Sequence, residues 1–153
     1  MGRGHRRFWL PALMVAAAAA AGMLAGCGPQ VETTVTDNGG AYTIAEVQRA
    51  ASSMNLGDVA RLKTDDAPEA RNKALVRLRT HGKLGAAVAD LLTREFGSKT
   101  RSVPVSVESA AVDGVDAWIV IEAAPGATGR LTTRRLWVFD RSDGSVIQSA
   151  SYR

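Results

Sequence analysis

The chain has little of what catalysis and metal binding usually need. It contains one cysteine, Cys27, so a disulfide within the chain and a multi-cysteine metal site are both excluded. Its two histidines are His5 and His81, and His5 sits in a basic, apolar N-terminal stretch. A Ser-His-acid set would therefore depend on His81 alone. No Gly-x-Ser-x-Gly elbow and no Gly-x-x-x-x-Gly-Lys-Ser/Thr loop occurs. Aromatic residues make up only 5% of the chain, and those beyond the first ten residues gather towards its C-terminal half.

What is present begins with a leader. Arg3, Arg6 and Arg7 form a basic start with no acid. Phe8 to Met23 is then alanine-rich and apolar apart from Pro11, and Leu24-Ala25-Gly26-Cys27 closes the run with small residues. That tetrad resembles the lipobox of bacterial lipoproteins. The resemblance implies that residues 1–26 are a signal peptide cut between Gly26 and Cys27. It also implies that the Cys27 thiol carries a diacylglyceryl group and that the domain is lipid-anchored in the cell envelope, facing the periplasm or the cell exterior. Two alternatives compete: an uncleaved membrane helix, since residues 8–26 reach the lower end of a spanning length of roughly 17 to 25, and an ordinary thiol behind a conventional signal peptide.

Removing residues 1–26 changes the electrostatic reading. The 153 residues become 127, and the 19 basic residues lose Arg3, Arg6 and Arg7 to leave 16 against 15 acids, a net charge of +1. The basic isoelectric point therefore belongs largely to the leader, and it is no argument for nucleic acid.

Residues 27–41 read as the lipidated cysteine and a flexible tether, polar and ending in Asp37-Asn38-Gly39-Gly40, in which residues 31–36 can form a short edge strand. Disordered, such a tether spans on the order of 20 Å. Residues 42–153 read as a single α+β domain. Thr43 and Glu46 have capping-box spacing, with Tyr42 and Val47 placed as a staple, and Ile44, Val47, Ala51 and Met54 follow at helical period up to Gly57. A short helical turn within 58–63, a helix over 68–80 and a helix from Leu84 to Phe96 come next, divided by His81-Gly82. The period then becomes two. Val103-Val105-Val107, Ala117 to Ile121, Leu131 to Phe139 and Ser145 to Tyr152 read as four strands of an antiparallel meander, with turns at Asp113-Gly114 and Asp143-Gly144. Helices followed by strands predict an α+β sandwich. The element order and turn residues of 42–153 are similar to the cystatin-like or nuclear-transport-factor-like cone, and the last hairpin to peptidase-propeptide-like envelope domains. Neither likeness fixes a function.

The candidate site residues are few. His81 suits a helix C-terminus better than a catalytic base. Asp65, Asp66 and Glu69 read as a capped, solvated loop, and Asp140-Arg141-Ser142-Asp143-Gly144 as a turn, because its twelfth position is Ser151 and not the glutamate of a calcium loop. No metal or cofactor is expected. Arg130, Arg134 and Arg135 read as strand arginines that deter edge pairing or meet an anionic partner. Alternation puts Trp137 and Phe139 on one sheet face and Leu136 and Val138 on the other. The expectation is a non-catalytic binding or accessory module for a protein or envelope polymer, with a binding surface around Trp137, Arg135 and Trp118. The alternatives are a carrier or sensor with an apolar pocket between helices and sheet, and, behind it, a hydrolase or isomerase of cone-like fold.

Overall fold

The computed structural model describes residues 30–153, so the leader, Gly26 and Cys27 lie outside the described residues. Strand β1 (Thr34–Tyr42) leads into helix α1 (Ile44–Ser53), two short 3-10 turns (Gly57–Arg61 and Thr64–Asp66), then α2 (Ala67–Arg79) and α3 (Gly82–Glu95). Strands β2 (Val103–Val112), β3 (Val115–Ala124), β4 (Thr133–Asp140) and β5 (Val146–Tyr152) complete the chain. The architecture is α+β, with three helices on one five-stranded sheet of order β1-β2-β3-β4-β5.

The sheet corrects the expectation of a four-stranded antiparallel meander. β2, β3, β4 and β5 pair antiparallel in chain order, but β1 adds a parallel edge, so the sheet is mixed. β1 comes from the segment read as a tether. Thr34-Val35-Thr36, within the stretch read as a possible edge strand, has the β-branched side chains a strand favours, and Asp37 to Gly40, which reads as the end of the tether, is instead an irregularity in the register with β2. Asn38 Oδ1 accepts the Gly40 N–H at 2.9 Å across it. Residues before β1 also pack on the domain: Val31 is 4% exposed, and the Thr33 hydroxyl donates to the Pro104 carbonyl at 2.8 Å.

The helices do not share a face. Leu136, Val138, Ile119 and Ile121 pack with Val47 and Ala51 of α1. Val107, Val120, Phe139 and Trp137 pack with Leu75, Leu78, Val88 and Leu92 of α2 and α3. The period-two alternation of β3 and β4 is thus satisfied on both sides, and each fully buried Phe or Leu side chain contributes about 1.5–3 kcal/mol. α2 and α3 fold back on each other after Gly82, whose φ is +68°, and Arg79 reaches across to Asp90 and Thr93, both at 3.1 Å. A third apolar cluster, Val31, Leu56, Val59, Leu62, Val103 and Leu131, fills the end of the sheet where β1 and β2 begin. At the opposite end, Asp113 and Gly114 close the β2–β3 hairpin with φ values of 47° and 83°. Two positive φ angles are what a type I′ turn requires, and glycine supplies one of them at little cost.

Candidate binding groove

α1 is well started and short. The Thr43 hydroxyl accepts the Glu46 N–H at 3.3 Å and the Glu46 carboxylate accepts the Thr43 N–H at 2.8 Å, the reciprocal capping box its spacing predicts. The Thr43 N–H, and after it the Thr43 hydroxyl at 3.0 Å, donate to the exposed Glu46 carboxylate and hold it below its ordinary pKa. Ten residues make a rod roughly 15 Å long and 10 Å across, whereas five strands span roughly 19 Å. One helix cannot roof that face. α1 lies over β4 and β5, and a groove of about 320 Å³ opens beside it, lined by Val47, Ala50 and Met54 from the helix and Ser106, Glu108, Ile119 and Ile121 from the sheet.

The floor of this groove is apolar, and its Tyr42 end is acidic. The Tyr42 hydroxyl donates to Glu108 Oε1 at 2.7 Å, and this bond to a carboxylate is the main reason the phenol is pushed above its ordinary pKa. Gly40 makes the arrangement possible: a Cβ there would lie 2.7 Å from the Tyr42 hydroxyl oxygen. Asp113 stands at the same end, its Oδ2 accepting the Ile44 N–H at 3.4 Å. Among the described residues no lysine or arginine lies within 4.0 Å of the carboxylates of Glu46, Glu108 or Asp113. At the other end, Arg134 is occupied in bonding the Met54 carbonyl.

The surface expected around Trp137 and Arg135 is not an open sheet face, because α2 and α3 cover it. Trp137 is half-buried between Phe96 and Phe139, with ring centroids 5.0 and 6.1 Å away, and its indole N–H donates to Glu122 Oε2 at 3.0 Å. Arg135 is half-buried directly opposite Glu122 in the β3–β4 register. Trp118 sits apart from both, near the far end of the sheet, where it lines two shallow clefts with Arg141.

Under Trp137 lies a polar network that sequence reasoning missed. Arg71 of α2 and Glu122 of β3, each 1% exposed, form an ion pair at 2.5 Å. Ser102 Oγ donates to Glu122 Oε2 at 2.8 Å, and the Ser102 carbonyl accepts from Arg71 at 2.9 Å. Arg71 also lies 5.5 Å from the Phe96 ring centroid, within cation–π range. The available signal was Glu122 itself, a lone carboxylate in an otherwise apolar Ile119 to Ala124 run. Arg71, one of several basic residues on α2, carried no signal. Both charged side chains of this network are sealed from solvent, under the Trp137 indole that also bonds Glu122.

The remaining candidates stay separate. His81 is exposed just before α3. Glu69 pairs with Lys73 at 2.6 Å, while Asp65 lies 3.9 Å from Arg101. Asp140 accepts from the N–H and hydroxyl of Ser142, shaping the turn. Among the described residues no three His, Cys, Asp or Glu side chains gather to hold a metal, and no helix is long and apolar enough to cross a membrane. Comparison with family models, with curated proteins and with solved structures returned no match.

Proposed function

We propose that the chain is a membrane-anchored cell-envelope lipoprotein that acts as a non-catalytic binding module, taking an apolar segment of a partner protein into the groove beside α1. The observation that carries this reading is the groove itself, where Val47, Ile119 and Ile121 form an apolar floor beside Glu108 and Glu46. Apolar side chains gain from such a floor. A cationic residue in the same segment complements the acidic Tyr42 end, because Glu46, Glu108 and Asp113 have no basic partner of their own among the described residues. The anchor reading rests on the Leu24 to Cys27 tetrad.

The test is a photo-reactive amino acid placed at Ala50, which is exposed and lines the groove, with Val76, 63% exposed on α2, as the control position. The expected result is a specific adduct in intact cells from position 50 but not 76, abolished by Glu108→Lys. Equal adducts from both positions, or indifference to Glu108→Lys, would sink the proposal.

A small-ligand carrier is the second reading, favoured by a groove volume of about 320 Å³, which falls at the small end of ligand pockets. Native mass spectrometry of the purified chain separates the two, since a carrier retains a ligand of defined mass that Ala50→Trp displaces.

A further inference from the structure

This inference rests on the reading of Cys27 as the lipid anchor, and it concerns how the domain sits on the membrane. Val31 is 4% exposed and packs with Leu62 and Leu131. Four residue steps separate it from Cys27. Whatever their conformation, four steps reach at most about 14 Å, so a lipid on Cys27 holds the Val31 end of the domain against the headgroups. The anchor therefore fixes a face, and not merely a neighbourhood.

That end carries exposed charge of both signs, Asp58, Asp65 and Asp66 beside Arg61, Lys63 and Arg130, and it is the cations left without a carboxylate that suit an anionic surface. Lys63 and Arg130 face each other across an isolated antiparallel bridge, and the Arg130 guanidinium donates to the Arg61 carbonyl at 2.7 Å. Like charges directly opposite one another are unfavourable in a ladder. Arg61 has Asp58 at 3.3 Å, but no carboxylate among the described residues lies within 4.0 Å of Lys63 or Arg130. All three basic residues are exposed and flank Leu62 and Leu131, the residues that hold Val31. A negatively charged surface relieves this crowding.

We infer that the domain docks on the bilayer through the end bearing Arg61, Lys63 and Arg130, with anionic phospholipid headgroups as the partner. β2, ten residues long, runs away from this end, which places the Asp113-Gly114 and Asp143-Gly144 turns roughly 30 Å further out. The Tyr42 end of the groove, where Asp113 bonds Ile44, belongs to that outer region. A soluble or membrane-bound partner can reach it without displacing the anchor.

The full lipidated chain allows a direct test, since Cys27 is the only native thiol and is consumed by lipid. Thr128→Cys, in the exposed loop beside Arg130, and Asp143→Cys, in the outer turn, each accept a fluorophore in protein reconstituted into vesicles carrying a headgroup quencher. In vesicles containing phosphatidylglycerol the label at position 128 is expected to be quenched strongly and that at 143 hardly at all. Adding Lys63→Glu and Arg130→Glu should reduce quenching at 128 to the level seen in phosphatidylcholine vesicles. Equal quenching at the two positions, or stronger quenching at 143, overturns the orientation. Quenching at 128 that ignores both vesicle charge and the double reversal overturns the headgroup contact. A wild-type chain that fails to float with vesicles fails earlier, at the anchor itself, and that result is read independently of the labels.

Discussion

The Arg71 guanidinium meets the Glu122 carboxylate at 2.5 Å with both side chains 1% exposed. It joins α2 to the middle of the sheet on the face that carries Trp137. A buried pair of this kind is stable only while both members and their hydrogen bonds are present. Removing one leaves a buried charge without its counter-charge, with only the neutral Ser102 and Trp137 donors left to Glu122 or the Ser102 carbonyl left to Arg71. Arg71→Ala or Glu122→Ala is expected to cost about 3–5 kcal/mol in chemical denaturation, whereas Arg71→Met combined with Glu122→Leu should recover most of that loss. Equal losses in single and double variants would refute the account.

Trp137 contributes through its indole N–H as well as its ring. Trp137→Phe keeps most of the packing against Phe96 and Phe139 but leaves Glu122 Oε2 with Ser102 as its remaining donor. A hydrogen bond to a charged group is worth about 1.5–3 kcal/mol, and a loss in that range is expected. Crystallography of the variant should find the ring where the indole was.

The capping box gives a pH signature. Glu46 has its pKa lowered in the fold from the ordinary 4.5, first by the Thr43 N–H bond. A lowered pKa contributes stability that is fully present above the unfolded value and lost as pH falls through the folded one. Wild type should therefore exceed Glu46→Gln in stability at neutral pH, and the two melting curves should converge as the solution is acidified below the ordinary glutamate range. A difference independent of pH would show that the carboxylate charge is irrelevant.

Tyr42 titrates in the opposite sense. Its pKa is raised, so the stability it contributes is present below the ordinary tyrosine value of 10.0 and lost as pH rises through the folded value. In an ultraviolet titration Glu108→Gln should move the Tyr42 midpoint down. Gly40→Ala should do the same without touching either partner, because the added Cβ would meet the phenol oxygen at 2.7 Å and displace it.

How much of this was legible follows the range of the interactions involved. The Thr43–Glu46 cap, the Asp113-Gly114 turn and the two-faced alternation of Leu136 to Phe139 are written in neighbouring residues, and the structure contains all three. Strand β1 was legible only in part: residues 31–36 read as a possible short edge strand, and β1 is an edge strand that starts at Thr34 but runs on to Tyr42. Its partner lies across three helices, and its Asn38-Gly39 pair has the composition of a loop. The Trp137 face is a related case: alternation shows that Trp137 has a face, but only the placement of α2 and α3 shows that this face is roofed. The groove beside α1 depends on how one helix divides a sheet of five strands, a matter of dimensions that no local motif encodes.

The parallel β1–β2 pairing has a consequence for how the chain reaches its folded state. Thr34 pairs with Ser106, so the first strand made is completed only after most of the chain has appeared. Contacts this distant in sequence slow folding, because a long loop must close before they reward it. During N- to C-terminal synthesis α1 and the α2–α3 hairpin are available while β1 still waits, its Val35 exposed to any other unpaired edge. Refolding should accordingly show a slow phase governed by β1 docking, visible as late protection of the Thr34 to Tyr42 amides in pulsed hydrogen exchange.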